Sequence, residues 1–257
     1  MEWIGPDVEV IVDNVFGRIT TRLPPDVLKY IDTKTRYHPA GYDKTWNFKK
    51  KRWDGYNHCF DMQNQVFRAG LADRIINALR HHKIPYRLTR DISKNFAALA
   101  ALPLGQGRIR PFEFQAKVRE VARKNERGII ASPTGTGKTI MAALMIDELQ
   151  RRTLVVLNDL VLLDQMQRSL MKNFPGITIG YIGDSEFQLG DITVATIQSL
   201  RSILGIIETK KARAESPNKQ RLLGWLRGVG VVIHDEAHLA DADSCLMFYG
   251  LLDSVER

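Results

Sequence analysis

The chain has 257 residues, 44% apolar and 26% charged, the balance of a globular protein rather than a disordered or collagen-like one. Thirty-seven Lys and Arg against 29 Asp and Glu give a net charge of +8, which points to a polyanionic partner. No apolar run approaches a membrane span, the N-terminus has no secretory signal, and Cys59 and Cys245 are too isolated for a disulfide framework or zinc site, so reduced thiols and a cytoplasmic setting are expected.

Val8–Asp13 and Phe16–Thr21 read as two strands of a hairpin. Pro24-Pro25-Asp26 opens a helix through Ile31, with proline tolerated in the first turn. Residues 33–55 form an irregular stretch in which Lys and Arg alternate with Tyr37, Tyr42, Trp46, Phe48 and Trp53. Lys49, Lys50, Lys51 and Arg52 are its densest cluster. Basic groups attract phosphates and rings stack on bases, so these four and Trp53 are candidate nucleic-acid contacts. The alternative is a solvated charged loop with its rings folded into a small core. Residues 1–100 hold 17 Lys and Arg against 11 Asp and Glu, which places most of the excess positive charge here.

Tyr56–Met62 alternates like a strand, with a return strand at Gln65–Phe67. A helix follows with Leu71, Ile75, Ile76 and Leu79 on one face, then a closing strand at Tyr86–Leu88. His81 and His82, being adjacent, are expected to point to different faces of the surface. Residues 91–107 read as a linker that ends before an aromatic-rich helix start, Phe112-Glu113-Phe114-Gln115.

Gly128–Thr139 reads GIIASPTGTGKT. Ile129-Ile130-Ala131 is expected to be a short buried strand, Ser132-Pro133-Thr134-Gly135-Thr136-Gly137 a turn, and Lys138-Thr139 the start of a helix. Strand, glycine turn and helix is the context of a phosphate-binding loop, in which backbone N–H groups and the helix dipole favour an anion. Lys138 then reaches the β/γ-phosphates and Thr139 ligates Mg²⁺. Ser132 stands where the strict pattern asks for Gly. Strands at 153–157, 177–182 and 192–196, alternating with helices, continue a parallel sheet. Residues 207–219 look like an exposed insertion. Val231–His234 is a further strand that ends in Asp235-Glu236-Ala237-His238. A carboxylate at such a strand end can hold Mg²⁺ and its neighbour can activate water; an acidic helix start is the alternative.

The pair SPTGTGKT and DEAH resembles motifs I and II of superfamily two helicases and translocases, over roughly residues 108–257. In that family Ser at the first position of motif I is common. The resemblance implies an α/β fold: a RecA-like parallel sheet lobe (P-loop NTPase) at 108–257, preceded by a small α+β nucleic-acid-binding domain at 1–95 and a linker at 96–107. It implies ATP and Mg²⁺ as cofactors, held by residues 132–139, with Gln115 and Arg110 also at the nucleotide and Gln115 on adenine. Lys138, Asp235 and Glu236 become the catalytic residues, Thr139 and Asp235 the metal ligands, and His238 a link to a second lobe. Thr196 and Gln198 match a strand-plus-Thr-x-Gln element that binds the nucleic-acid backbone, although Thr196 suits a helix cap equally well. Asn158-Asp159 departs from the Pro-Thr of the family's strand-tracking element.

Trp53-Asp54-Gly55 within its basic-aromatic setting resembles the N-terminal domain of phage recombination helicases. That likeness implies DNA, single-stranded or branched, as partner, and the host cytoplasm if the protein is phage-encoded. Restriction or remodelling motors and non-catalytic nucleic-acid binders are rivals, and the motifs do not separate DNA from RNA. The sequence ends shortly after motif II, so a second lobe, in a longer chain or a partner subunit, is expected to be needed for full activity; these residues alone are expected to bind ATP·Mg²⁺ weakly and hydrolyse it slowly.

Overall fold

Valine at every second position makes the first strand: in β1 (Val8–Asp13) Val8, Val10 and Val12 all turn inward and are buried, as strand geometry requires. A computed structural model of the chain describes residues 5–13, 16–39, 41–91, 111–125, 127–206 and 217–236. The chain divides into two compact units, Met1–Ser93 and Lys94–Arg257.

In the first unit β1 pairs antiparallel with β2 (Phe16–Ile19), Val10 facing Ile19. Helix α1 (Pro25–Thr35) starts with proline in its first turn and buries Val27, Leu28 and Ile31 at helical spacing. A short α2 (Trp46–Lys49) lies in the irregular basic stretch. Strand β3 (Phe60–Asp61) is shorter than the expected Tyr56–Met62, and β4 (Val66–Arg68) lies one residue beyond the expected Gln65–Phe67. Helix α3 (Ala72–His81) buries Ile75, Ile76 and Leu79 and packs on α1. Strand β5 (Tyr86–Asp91) runs parallel to β1, completing the order β3-β4-β2-β1-β5. Sheet and helices share one core. His81 and His82 do not part company as expected. Both close on Tyr30, His81 stacked at 4.7 Å and His82 edge-on at 4.8 Å, because α3 ends at His81 and the chain turns there.

The second unit holds α4 (Glu113–Lys124), α5 (Lys138–Leu149), β6 (Thr153–Leu157), α6 (Leu160–Asn173), β7 (Ile179–Gly183), β8 (Glu186–Gln188), β9 (Ile192–Thr196), α7 (Ile197–Leu204), α8 (Lys219–Leu226) and β10 (Val231–His234). The sheet order is β10-β6-β9-β7-β8; the first four are parallel, and β8 folds back antiparallel on β7. Strand β6 feeds two cores. Val155 and Leu157 pack with α5 and α6, Leu154 and Val156 with α7 and α8. Helices on both faces of a mostly parallel sheet make an α/β lobe. Near the start of β9 the backbones meet closely: a Cβ on Gly190 would stand 2.5 Å from the Gly180 nitrogen.

The segment expected to be a buried strand, Ile129-Ile130-Ala131, is not one. It pairs with no strand among the described residues, and Ile129 is 86% exposed; an apolar run becomes a strand only where a neighbour completes its hydrogen bonds. The linker at 96–107 and residues 207–216 of the expected insertion lie outside the described residues. Among those described, no helix is long and apolar enough to cross a membrane.

Candidate nucleotide site and basic cleft

The turn before α5 is held from inside. The Ser132 and Thr136 hydroxyls hydrogen-bond to each other across it, and Thr136 Oγ1 donates to the Pro133 carbonyl at 2.7 Å. Ser132 thus supplies a cross-tie that glycine would lack. Gly135 and Gly137 are left-handed, φ +82° and +81°. At Gly137 the requirement is doubled, since a Cβ would also stand 2.6 Å from Gln115 Nε2. Helix α5 opens directly at Lys138 and buries Met141, Ala142, Ala143, Leu144 and Ile146, so its N-terminus, with Thr139 in its first turn, is set by the core behind it.

Lys138 is where two distant segments meet. Its Nζ donates to Glu236 Oε1 at 2.8 Å, across 98 positions of sequence. This hydrogen bond raises the Lys138 pKa and keeps the ammonium charged. Asp235 continues the β10–β6 ladder, its N–H donating to the Val156 carbonyl at 3.0 Å, and its Oδ1 accepts from the Glu236 N–H at 3.0 Å. Glu236 sits at φ +55°, a turn that swings its carboxylate toward α5. His234, just before them, has its pKa pushed down by burial. Among the described residues no cluster of three or more His, Cys, Asp or Glu could cage a metal. The Thr139 hydroxyl and Asp235 carboxylate are hard oxygen donors of the kind Mg²⁺ takes when phosphate and water complete its shell.

Gln115 has partners within the protein that the sequence did not suggest. It is only 4% exposed; its Oε1 accepts from the Phe112 N–H at 3.0 Å and its Nε2 donates to the Thr136 carbonyl at 2.8 Å. A second tie joins the same helices. Arg119 reaches Asp147 at 2.5 Å and Glu148 at 3.2 Å, and Arg123 reaches Glu148 at 2.6 Å. Arg110 and His238 lie outside the described residues.

Thr196 and Gln198 are both engaged within the protein. Thr196 caps α7, its Oγ1 accepting from the Ser199 N–H at 3.2 Å, and Gln198 Nε2 donates to the Asn158 carbonyl at 3.2 Å. Asp159 likewise caps α6, accepting from Val161 and Leu162, so the departure at 158–159 has a structural use.

In the first unit, Phe48, Lys49, Lys51, Arg52 and Trp53, with the carboxylates Asp43 and Asp54, line an open cleft of about 580 Å³. Lys50 is exposed beside it. Some of the rings stack among themselves: His38 lies 3.9 Å from Tyr42 and 3.8 Å from Tyr56, and the Arg36 guanidinium covers Tyr56 at 4.0 Å. Trp53 spends its N–H on the Tyr56 carbonyl at 2.8 Å. Tyr37 is 44% exposed, and the most exposed ring is Trp46, 57% exposed with the Arg52 guanidinium 4.5 Å over it. Spacing alone did not single it out, because it does not report which ring lies beneath its neighbours.

His58 fastens this stretch to α1. It bonds Asp32 at 2.6 Å and Asp54 at 2.9 Å, and these bonds raise its pKa, the one to Asp32 most. A histidine pKa raised on folding stabilises the fold fully below its unfolded value near 6.5 and loses that contribution as pH rises through the folded value. The first unit is therefore expected to weaken modestly above pH 6.5, the ring being 39% exposed and screened. Thermal melts of wild type and His58→Gln across pH 5.5–8.5 check this; parallel pH profiles would refute it.

The family model described as type III restriction enzyme, res subunit, matches residues 77–255. The chain belongs to that family. As a res-subunit family member it carries a superfamily-two-type, helicase-like ATPase domain, and the match begins inside α3 of the first unit. It is 31% identical over 109 residues, 42% of its length, to the DNA 3'-5' translocase XPB2 of Sulfurisphaera tokodaii, and spans only 25% of that relative. Two solved structures share its fold. One, of the UvsW helicase from Bacteriophage T4, is 16% identical with a TM-score of 0.59, covering 95% of this chain and 97% of that one. Another, of T4 UvsW, is 19% identical with a TM-score of 0.67, covering 97% of this chain and 51% of that one. Family membership supports a nucleic-acid-acting, ATPase-like function for this chain.

Proposed function

We propose that the protein is an ATP-driven DNA helicase or translocase acting on single-stranded or branched DNA, with motif I at 132–139 and the DEAH sequence as motif II. The meeting of Lys138 and Glu236 at 2.8 Å carries this reading, because it brings a phosphate-seeking cation, a Mg²⁺-type donor pair and a candidate base to one place. Lys138 exchanges its carboxylate for the β/γ-phosphates of bound ATP. Thr139 and Asp235 would hold Mg²⁺, which would offset the charge of the phosphates. Glu236, released from Lys138, orients the attacking water and accepts its proton. Rapid turnover also calls for a cation from a second lobe or a partner subunit in trans.

DNA is held through Lys49, Lys50, Lys51 and Arg52 on phosphates, with Trp46 as a stacking face and Trp53 shaping the cleft. Neutralising Lys49, Lys51 and Arg52 together is expected to flatten the salt dependence of DNA binding by about two to three in log–log slope. Fluorescence anisotropy with a forked duplex at several salt concentrations measures it, and an unchanged slope would place the DNA elsewhere.

The family's name favours one rival, a restriction-type motor that tracks duplex without parting it. Displacement of a third strand from a triplex, without unwinding of a fork, would select that rival. Turnover of ATP stimulated by neither substrate would remove both.

A further inference from the structure

We propose that Asp43 makes the basic cleft select an unpaired strand, with guanine as the favoured base, over the backbone of a duplex. This rests on the DNA-cleft reading above. Two carboxylates line the cleft beside Lys49, Lys51 and Arg52. A site for phosphate alone gains nothing from an anion on its wall, since like charges repel. The two are in different states. Asp54 is spent inside the protein: its Oδ1 accepts from the Tyr56 N–H at 3.0 Å and its Oδ2 bonds His58 at 2.9 Å. Asp43 is exposed in the short turn Tyr42–Lys44, which follows the left-handed Gly41 at φ +71°. Among the described residues it has no hydrogen-bond or ion-pair partner, although Lys49, Lys51 and Arg52 share its cleft.

A carboxylate accepts hydrogen bonds and donates none. It therefore repels phosphate and takes N–H groups, and in DNA those belong to the bases. Guanine offers an imino N–H with an amino group beside it, two parallel donors for one carboxylate. In a duplex the imino group faces its paired base and is out of reach. In an unpaired strand it is open, and such strands are read on their Watson–Crick edges. The cleft, of about 580 Å³, lies within the roughly 300–1,000 Å³ of small-ligand sites. Half-buried Phe48 and Trp53 give it apolar walls, against which a base can lie. The cations then hold the phosphates on either side of that base.

The test measures binding of wild type, Asp43→Ala and Asp43→Asn by fluorescence anisotropy, at one salt concentration. The DNAs are oligothymidylate, the same strand with one central guanine, and that guanine strand in a blunt duplex. Wild type is expected to bind the guanine strand roughly tenfold tighter than either of the others. Asp43→Ala is expected to lose that advantage and to bind the other two about two- to threefold tighter, because a repelling charge has gone. Asp43→Asn keeps an acceptor oxygen without the charge; it is expected to tighten on the duplex likewise while retaining part of the guanine preference. Having no partner to lose, both variants are expected to melt like wild type. The proposal is overturned if wild type shows no preference for the guanine strand, or if both variants tighten all three DNAs by the same factor, the effect of a bare charge. A variant neutralised at Lys49, Lys51 and Arg52 that binds all three like wild type overturns the cleft reading itself, a distinct outcome that takes this inference with it.

Discussion

Lys138→Ala is expected to reduce ATP turnover by about 10²–10³-fold, the cost of losing one preorganised charge at a developing phosphate anion. The ammonium is charged and half-buried at the start of α5, and Glu236 draws it to the mouth of the loop. Arginine there, with a planar fork in place of a compact charge, is expected to restore little. The fold should survive, because a partly exposed ion pair contributes little to stability. Glu236→Gln separates the two roles: triphosphate binding should persist, since the amide no longer competes for Lys138, while hydrolysis fails for want of a base. Steady-state phosphate release and calorimetric binding measure the two effects. Lys138→Ala that turns over ATP like wild type would exclude this site from hydrolysis.

Gly190→Ala is expected to destabilise the second unit by about 3 kcal/mol. A Cβ there would lie 2.5 Å from the Gly180 nitrogen and closer still to the Thr178 carbonyl. Both are main-chain atoms and cannot rotate away. Thr178 O accepts from Ile192 N at 3.2 Å at the base of β9, and Trp225 Nε1 bonds the Gly190 carbonyl at 2.8 Å; any shift spreads through the sheet to α8. Gly224→Ala is the control. It lies within α8 with nothing within 4 Å of its Cβ, and should gain about 0.5–1 kcal/mol from helix propensity. Urea midpoints distinguish them, and equal midpoints for the two variants would show the close approach at Gly190 to be soft.

Patterns repeated along a segment were legible before the structure: valine alternation in β1, the apolar face of α3, the strand–helix rhythm of β6 to α7, the glycine turn into α5. What was missed depends on neighbours. Ile129-Ile130 is apolar enough for a strand, yet lies open where no described strand pairs with it. The partners of the Gln115 amide within the protein, the Phe112 N–H and the Thr136 carbonyl some twenty positions away, are likewise set by the fold. Of the tryptophans in the basic stretch, Trp53 is tied to Tyr56 while Trp46 is exposed with Arg52 over its ring, a difference that composition cannot carry. Helix α8 was not foreseen because Lys219–Leu226 adjoins the polar segment that masked it.

The pairing of Val8 with Tyr86 in the first unit joins the beginning of that sheet to its end. During synthesis Val8, Val10 and Val12 therefore leave the ribosome long before the strand that covers their edge. At ~5–20 residues per second the wait is roughly 4–16 s. Through that interval the hairpin presents an uncovered edge to other nascent chains, the kind of surface that chaperones guard. Any truncation ahead of Tyr86 would make this temporary exposure permanent.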